Sequence, residues 1–239
     1  MAQLYVGTSG WAYRTWKPDF YPENLAQKKF LNFYASKLNA VEVNYTFRQW
    51  VNDATVQRWI AETPAHFRFS IKAHQSLTHI KRLKGAQESL ARFLATLKAL
   101  KRAGRLGPLL FQLPPNFKAD QAVLSEFLKR WPRNVRAAFE FRHESWFTET
   151  TWSALREHNI ALCVAETEEG ATPDVATADY VYYRCRKSIY TAKERRALAA
   201  RVREHLAAGR DVFAYFKHEE TPKGARYALD LLRAGQARG

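Results

Sequence analysis

Short apolar runs alternate with longer amphipathic stretches along the whole chain. Eight of the runs are five to seven residues long and rich in large apolar residues, and several alternate between apolar and polar positions, which is typical of β-strands. They cover residues 4–8, 41–47, 67–72, 109–113, 137–142, 160–165, 180–184 and 212–216. Stretches with helical spacing follow most of them. These repeated strand-then-helix units predict an α/β fold in which eight parallel strands close into a single (β/α)₈ TIM-like barrel.

Three segments refine this prediction. A stripe of apolar residues predicts one continuous helix that ends at Gly104, a C-cap residue. The stripe consists of Leu90, Phe93, Leu94, Leu97 and Leu100. Thr191 and Glu194 have the spacing of a capping box and predict the start of another helix. Residues 166–178 are acidic, contain Gly and Pro and have no amphipathic period, so the sixth unit is predicted to lack a full helix.

The length and composition predict one domain that covers residues 1–239. This length is close to that of one barrel, and no Gly-, Ser- or Pro-rich linker divides it. The sequence begins without the charged and apolar regions of a signal peptide, and it has no run of eighteen apolar residues, so we expect no membrane segment. Cys163 and Cys185 lie in predicted strands without CxxC spacing, which predicts buried, reduced thiols. These features together favour a cytoplasmic protein.

The charge of the chain favours an anionic partner. Lys and Arg number 38 against 23 Asp and Glu, a formal charge of +15. Phosphorylated small molecules and nucleic acid are both compatible with this excess. Many of the basic residues fall on the outer faces of predicted helices, where they are ordinary solvated side chains. Charge alone therefore does not choose between the two kinds of partner.

Polar residues cluster at the ends of the predicted strands. In a parallel barrel the carboxyl ends of all strands meet on one face, so we expect these side chains to border a single bowl. The candidate ligand-binding residues are Thr8, Ser9, Trp11, Asn44, Thr46, Lys72, His74, Gln112, Arg142, Trp146, Arg184, Lys217 and His218. Glu42, Glu140 and His143 are the candidate catalytic residues.

Glu140, Arg142 and His143 form the strongest chemical cluster. Strand alternation points Glu140 and Arg142 the same way, where the two side chains either pair with each other or hold a phosphate. His143 leaves the strand and is a candidate acid or base over the bowl. The alternative is a buried Glu–Arg ion pair that shapes the barrel interior, with His143 hydrogen-bonded to a neighbouring loop.

The sequence is compatible with one divalent metal ion and does not identify a cofactor. Glu42, Glu140 and Glu166 offer up to three carboxylates to one divalent metal ion. A multinuclear zinc site needs more histidines than lie near the strand ends. Neither a P-loop nor a Rossmann fingerprint is present, so no nucleotide cofactor is expected.

Six sequence blocks resemble the YecE-like family of uncharacterised barrel proteins. They are GTSGW at 7–11, FYP at 20–22, VEVNYTF at 41–47, LPP at 113–115, EFRHESW at 140–146 and FKH at 216–218. The resemblance implies a barrel of about this length and no established reaction. The sequence departs from the commoner family pattern in two places, because RCRK at 184–187 stands where many members carry an Arg-x-His-Gly run and FKH stands where many carry Phe-Asn-Asn. Both changes add positive charge.

Two functional hypotheses follow. In the first, the protein is an enzyme acting on a phosphodiester or a sugar phosphate, as a hydrolase, lyase or isomerase. Arg142, Lys72 and Arg184 would neutralise phosphate charge, while Glu140 and His143 handle protons or a labile metal ion and Glu42 with Asn44 orients the substrate. In the second, it is a non-catalytic nucleic-acid-binding barrel that uses basic and aromatic loops.

Overall fold

The computed structural model describes residues 1–217 and 220–236 of the chain, and it contains the predicted barrel. Eight parallel strands pair in the order β5-β4-β3-β2-β1-β9-β8-β6, and β6 pairs with β5 to close the ring. The strands are β1 Leu4–Ser9, β2 Ala40–Val43, β3 Arg68–Lys72, β4 Leu106–Gln112, β5 Ala137–Glu140, β6 Ala161–Thr167, β7 Gly170–Ala171, β8 Tyr180–Cys185 and β9 Asp211–Phe216. Among the strands of the described residues, only the two-residue β7 runs antiparallel, beside β6.

Helices surround the strands and bury their apolar faces against them. They are α1 Phe30–Ala35, α2 Asp53–Glu62, α3 Gln87–Thr96, α4 Lys98–Arg102, α5 Gln121–Lys129, α6 Glu149–Glu157, α7 Ala192–Ala207 and α8 Lys223–Gln236. Thr191 and Glu194 form the predicted capping box at the start of α7. Cys163 and Cys185 are buried and unpaired, as predicted. No helix in the described ranges has both the length and the apolar character that crossing a bilayer requires.

The predicted strand 41–47 is shorter than expected. It ends at Val43, and Tyr45–Phe47 forms a 3-10 turn that begins after Asn44. The neighbouring strand β1 ends at Ser9, because Gly10 turns away with φ +95° and its N–H bonds the Glu42 carbonyl. The pairing of β2 with β1 therefore ends at Glu42. Asn44 and Thr46 consequently lie in a turn rather than on the inner face of a strand.

Two further elements also differ from the sequence prediction. The apolar stripe 90–100 forms two helices, α3 and α4, which meet at Leu97. The segment 137–142 ends as a strand at Glu140, so Arg142 belongs to the following loop.

The sixth unit lacks a helix, as predicted. Its place is taken by β7 and an irregular segment whose threonines bond the backbone of β6. The Thr177 hydroxyl accepts from Leu162 N and donates to the Ile160 carbonyl, both at 2.7 Å. The Thr172 hydroxyl accepts from Ala165 N at 2.9 Å. These side chains satisfy backbone groups at the start and end of the strand.

Aromatic side chains fill the barrel interior below the carboxyl end. The Tyr5 and Phe213 rings stack with centroids 4.7 Å apart. Above them the Tyr215 hydroxyl lies 2.8 Å from Ser70 Oγ, and its ring contacts Tyr182. The interior is thus packed, and a ligand has room only above this layer, at the carboxyl ends of the strands.

Candidate functional site

Arg184 lies at the centre of the carboxyl end of the barrel. From β8 it reaches two carboxylates on other strands. Its Nε and Nη2 atoms donate to Glu42 on β2 at 3.0 and 2.8 Å, and its Nη1 atom donates to Glu140 on β5 at 2.5 Å. None of the three side chains is more than 3% exposed. They form a buried Glu–Arg–Glu triad that spans the barrel.

The oxygens of the two carboxylates also accept hydrogen bonds from other neutral and cationic donors. Glu42 accepts from Ser9 Oγ at 2.8 Å, Asn44 Nδ2 at 3.1 Å and Tyr182 OH at 2.8 Å. Every oxygen of this carboxylate therefore accepts at least two hydrogen bonds.

Glu140 is held in the same way. Its Oε1 atom accepts from Gln112 Nε2 at 2.8 Å and Arg142 Nε at 2.9 Å. Each residue of the triad is thus fixed by groups on neighbouring strands and loops.

The triad stays ionised at neutral pH. Burial by itself raises a carboxyl pKa, but the Arg184 charge and the hydrogen bonds outweigh it, so the pKa of Glu140 falls to about 2 and that of Glu42 falls below its usual value. Burial would lower the pKa of Arg184, yet the two carboxylates raise it well above its ordinary value. Such carboxylates are weak proton acceptors.

Lys72 lies beside the triad without a carboxylate of its own. Its Nζ atom donates to Gln112 Oε1 at 2.7 Å and lies 4.4 Å from the centre of the Phe47 ring. Within the described ranges no acidic side chain forms an ion pair with it. Burial and then the Arg184 charge lower the pKa of Lys72 to about 8, although Glu42 and Glu140 oppose this.

A cavity of about 510 Å³ opens next to Glu140. Its charged lining consists of the cations Arg142 and Arg186 and the acids Glu140 and Glu169. Thr167 and Thr172 add hydroxyl groups, and Phe147 contributes an apolar wall. The Arg186 side chain forms no ion pair with any other residue that the structure describes. A second cavity of about 500 Å³ shares Arg186 and is also lined by Lys217.

The site as a whole carries excess positive charge. Lys72, Arg142, Arg184 and Arg186 contribute four cations. The charges of the triad affect the pKa of both Lys72 and Arg186, and Arg142 lowers the pKa of Glu140. Glu42, Glu140 and Glu169, the last of which lines the cavity beside Glu140, supply three negative charges. This imbalance is what an anionic ligand would offset.

Several predicted site residues lie in structural positions. The Thr8 hydroxyl contacts Tyr34 OH at 2.9 Å and donates to the Gly10 carbonyl at 2.6 Å. The Thr46 hydroxyl donates to the Lys72 carbonyl at 2.7 Å. Trp146 is fully buried, with its Nε1 atom donating to a backbone carbonyl at 2.7 Å.

The two predicted histidines that the structure describes both act as turn caps. His74 Nδ1 accepts from Ser76 N, and His143 Nδ1 accepts from Ser145 N, each at 3.2 Å. The His74 ring also stacks on Trp50 with centroids 4.2 Å apart. This repeated His-x-Ser arrangement follows β3 and β5. His218, the third, lies outside the described residues.

Trp11 lies at a separate cavity of about 440 Å³, which is also lined by Ser9 and Asn44. Its ring packs edge-on against Trp59. Lys217 is half-buried at the cavity that it shares with Arg186. The predicted bowl is therefore divided, with Ser9, Glu42, Lys72, Gln112, Glu140, Arg142 and Arg184 linked at its centre.

Tyr182 and His79 lie in the site but were not among the predicted site residues. Tyr182 precedes Arg184 by two residues, so strand alternation could have placed both on the inner face. No comparable signal exists for His79, which lies in a π-helical turn, Ser76–Ile80. Its ring packs edge-on against Phe47 with centroids 4.8 Å apart, and burial followed by the charge of Lys72 lowers its pKa.

The carboxylates do not form a metal-binding set. Glu166 pairs with Arg201 on α7 instead of joining Glu42 and Glu140. Throughout residues 1–217 and 220–236, no group of three His, Cys, Asp or Glu side chains converges as metal ligands would.

The fold and the charged cluster at its carboxyl end define a parallel (β/α)₈-barrel protein. A family model described as "Protein of unknown function DUF72" matches residues 5–238, so the chain belongs to the DUF72 family. Curated relatives include the UPF0759 proteins YunF of Bacillus subtilis and YecE of Escherichia coli. The predicted YecE-like membership is thereby confirmed.

This chain aligns with only part of the length of the two curated relatives. YunF is 28% identical over 188 residues, which are 73% of this chain and 66% of YunF. YecE is 28% identical over 147 residues, which are 61% of this chain and 51% of YecE.

Solved structures of the family share the whole barrel. A DUF72 family protein (TM1631) from Thermotoga maritima has a TM-score of 0.85 and 27% identity, covering 97% of this chain and 98% of that one. Another (EF0366), from Enterococcus faecalis, has a TM-score of 0.75 at 17% identity and covers 98% of this chain and 97% of that one. The second likeness concerns the fold alone.

Proposed function

We propose that this protein is an enzyme that acts on a small phosphate-bearing molecule, bound in the cavity beside Glu140. The observation that carries the proposal is Arg186, which lines this cavity and has no anionic partner in the described part of the chain. A half-buried guanidinium without a counter-charge favours an anion in its vicinity. Arg142 lines the same cavity, and its Nε atom donates to Glu140.

Arg184 has a different role in this proposal from the one that the sequence suggested. Each of its three nitrogens already donates to a carboxylate oxygen. It therefore organises the site, and Arg186 with Arg142 takes the contact with phosphate.

The size of the cavity supports a small molecule over a polymer. Small-molecule sites in proteins commonly enclose about 300–1,000 Å³, and this one measures about 510 Å³. Its wall combines arginines and threonines with Phe147 and Pro115, which suits a ligand that has an anionic end and a less polar body.

Of the two reaction types left open, sugar-phosphate chemistry is favoured over phosphodiester hydrolysis. Hydrolysis needs a base to activate water. Glu42 and Glu140 are poor bases because Arg184 and other donors hold both as carboxylates. A lyase or isomerase acting on a sugar phosphate needs no activated water, and the two carboxylates would accept hydrogen bonds from the hydroxyl groups of its substrate.

Calorimetric titration at low ionic strength tests the proposal. The ligands are inorganic phosphate, ribose 5-phosphate and ribose, and the proteins are the wild type, Arg186→Gln and Arg102→Gln. Arg102 is exposed on α4 and serves as a control for the loss of one positive charge. We expect Arg186→Gln to bind ribose 5-phosphate about tenfold more weakly, as loss of one charge-assisted contact would cause.

The control variant should bind like the wild type, and ribose should bind more weakly than its phosphate. Equal affinity of Arg186→Gln and Arg102→Gln for ribose 5-phosphate and inorganic phosphate would contradict the proposal.

A further inference from the structure

Lys72 is, with Arg186, a charged group of the site that forms no ion pair with an acid in the described part of the chain. The carboxylates nearest to it in the network, Glu42 and Glu140, are engaged by Arg184 and other donors. Its Nζ atom instead donates to Gln112 Oε1, and Gln112 donates in turn to Glu140. Lys72 is therefore held at the centre of the site by a neutral amide.

Cations surround this amine from several elements. Arg184 comes from β8 and Arg142 from the loop after β5, and both disfavour the charged form of Lys72. His79 packs against the other contact of the amine, the Phe47 ring. Burial disfavours the charged form of Lys72 most strongly, whereas Glu42 and Glu140 favour it. The surroundings consequently favour a fraction of neutral amine near neutral pH.

A neutral lysine amine in such a setting is a nucleophile toward carbonyl groups. Lys72 is half-buried, so part of its side chain is exposed to solvent. Gln112 connects Lys72 to Glu140 through two hydrogen bonds. Glu140 lines the cavity together with Arg142 and Arg186. Arg142, which lines the cavity, is close enough to Lys72 to affect its pKa, so a ligand held at the arginines would extend past Glu140 to meet the amine.

We propose that Lys72 forms a Schiff base with an aldehyde or ketone group of the phosphate-bearing ligand. Its Nζ atom bonds to the carbonyl carbon to give a carbinolamine, the carbon–oxygen bond then breaks, and the oxygen leaves as water. Starting from the ammonium form, the products are one protonated imine and one water, with no change of oxidation state. This inference rests on the proposed function, since it adds a carbonyl to the same phosphate-bearing ligand.

The protonated imine would serve as an electron sink for bond cleavage or proton removal at the neighbouring carbon. The fixed carboxylates and the surrounding guanidiniums would hold the rest of the ligand. A sugar phosphate in its open-chain form has both required groups, a carbonyl and a phosphate.

Reductive trapping tests this step directly. The intact protein is incubated at pH 7 with glyceraldehyde 3-phosphate and sodium cyanoborohydride, which reduces an imine to a stable secondary amine, and modified lysines are located by peptide mass spectrometry. A pKa of about 8 against an ordinary 10.5 gives Lys72 roughly 300-fold more neutral amine at pH 7. We expect its labelling to exceed that of the exposed Lys98 by more than about tenfold.

Matched reagents and variants sharpen the result. Unphosphorylated glyceraldehyde should label Lys72 less, and inorganic phosphate should compete with the phosphorylated aldehyde. Lys72→Arg keeps the positive charge and should lose the dominant adduct while still binding inorganic phosphate. Lys98→Arg, on the outer helix α4, should leave the adduct at Lys72 unchanged.

The outcomes separate this inference from the proposed function. Binding of inorganic phosphate without enrichment of label at Lys72 in the wild type would overturn the Schiff base and leave the phosphate site standing. Enrichment at Lys72 with both aldehydes, but no binding of inorganic phosphate, would support the lysine chemistry and overturn the proposed phosphate ligand. The wild-type labelling pattern decides the question even if Lys72→Arg fails to fold.

Discussion

Arg184 illustrates how one residue makes a charged interior tolerable. A buried ion pair stabilises a protein only when its geometry is good and its remaining hydrogen-bonding groups are satisfied. Here the guanidinium bridges two carboxylates, and Ser9, Tyr182 and Gln112 complete their coordination. Removing the cation alone would leave two buried negative charges without their main partner.

We therefore predict that Arg184→Met lowers the free energy of unfolding by about 3–5 kcal/mol at pH 7. The pH dependence should also change sign. In the wild type, Glu140 has its folded pKa near 2, below the ordinary 4.5, so it contributes stability above pH 4.5 that is lost as the pH falls toward 2. In the variant, burial raises the carboxyl pKa values, so stability falls as the pH rises above 4.5.

Urea unfolding between pH 3 and pH 8 measures both effects. Arg196→Met, at an exposed position of α7, is the control and should follow the wild type. Adding Glu42→Gln and Glu140→Gln to Arg184→Met should recover most of the loss, because no unpaired charge then remains buried. An Arg184→Met variant that still gains stability from pH 4 to pH 8 would argue against a structural triad.

Among the elements, the sixth unit shows how side chains replace the contacts of a missing helix. Thr177 is buried, and its hydroxyl serves both Leu162 N and the Ile160 carbonyl. We predict that Thr177→Val, which has the same shape, destabilises the fold by about 1–3 kcal/mol by leaving buried backbone groups unsatisfied. Hydrogen exchange at the Leu162 amide should speed up more than exchange elsewhere in the barrel.

Urea unfolding supplies the comparison, with Thr150→Val on the exposed face of α6 as the control. Equal free energies of unfolding for the two variants would show that the Thr177 hydroxyl does not hold this segment.

A helix or strand could be predicted where the residue pattern within that segment alone determines it. Short runs that were either apolar or alternating located all eight barrel strands, and the spacing of Thr191 and Glu194 located the start of α7. The end of β2 at Val43 was not predictable in the same way. It depends on where the neighbouring strand β1 turns away at Gly10, which no pattern within residues 41–47 records.

In the molecule as a whole, barrel closure decides which charges meet. Sequence placed Glu42, Glu140 and Arg184 at strand ends, but the ion pairs join residues 142 and 44 positions apart. Such pairing follows from the positions of β2, β5 and β8 around the ring. Alternation could therefore predict which residues face inward, whereas it could not predict that Arg184 would use both carboxylates and leave Arg186 unpaired.

The distribution of charge also separates the two hypotheses that the sequence left open. The chain carries a formal +15, and much of it is spread over exposed helix residues such as Lys193, Arg196 and Arg203 on α7. Charge of this kind binds nucleic acid without specificity and is strongly weakened by salt. Arg186, by contrast, lines an open cavity at the carboxyl end of the barrel.

We predict that a ten-nucleotide oligo-dT binds weakly and that its affinity falls with a log–log salt slope of about −0.7 per phosphate contacted. Arg186→Gln should change this affinity less than about twofold, while the double variant Arg196→Gln/Arg203→Gln should weaken it more, because exposed charge dominates non-specific association. Fluorescence anisotropy across a salt series, with ribose 5-phosphate as competitor, provides the measurement. Competition by ribose 5-phosphate, together with a large loss of oligonucleotide binding in Arg186→Gln, would instead place nucleic acid in the bowl and favour the binding-module hypothesis.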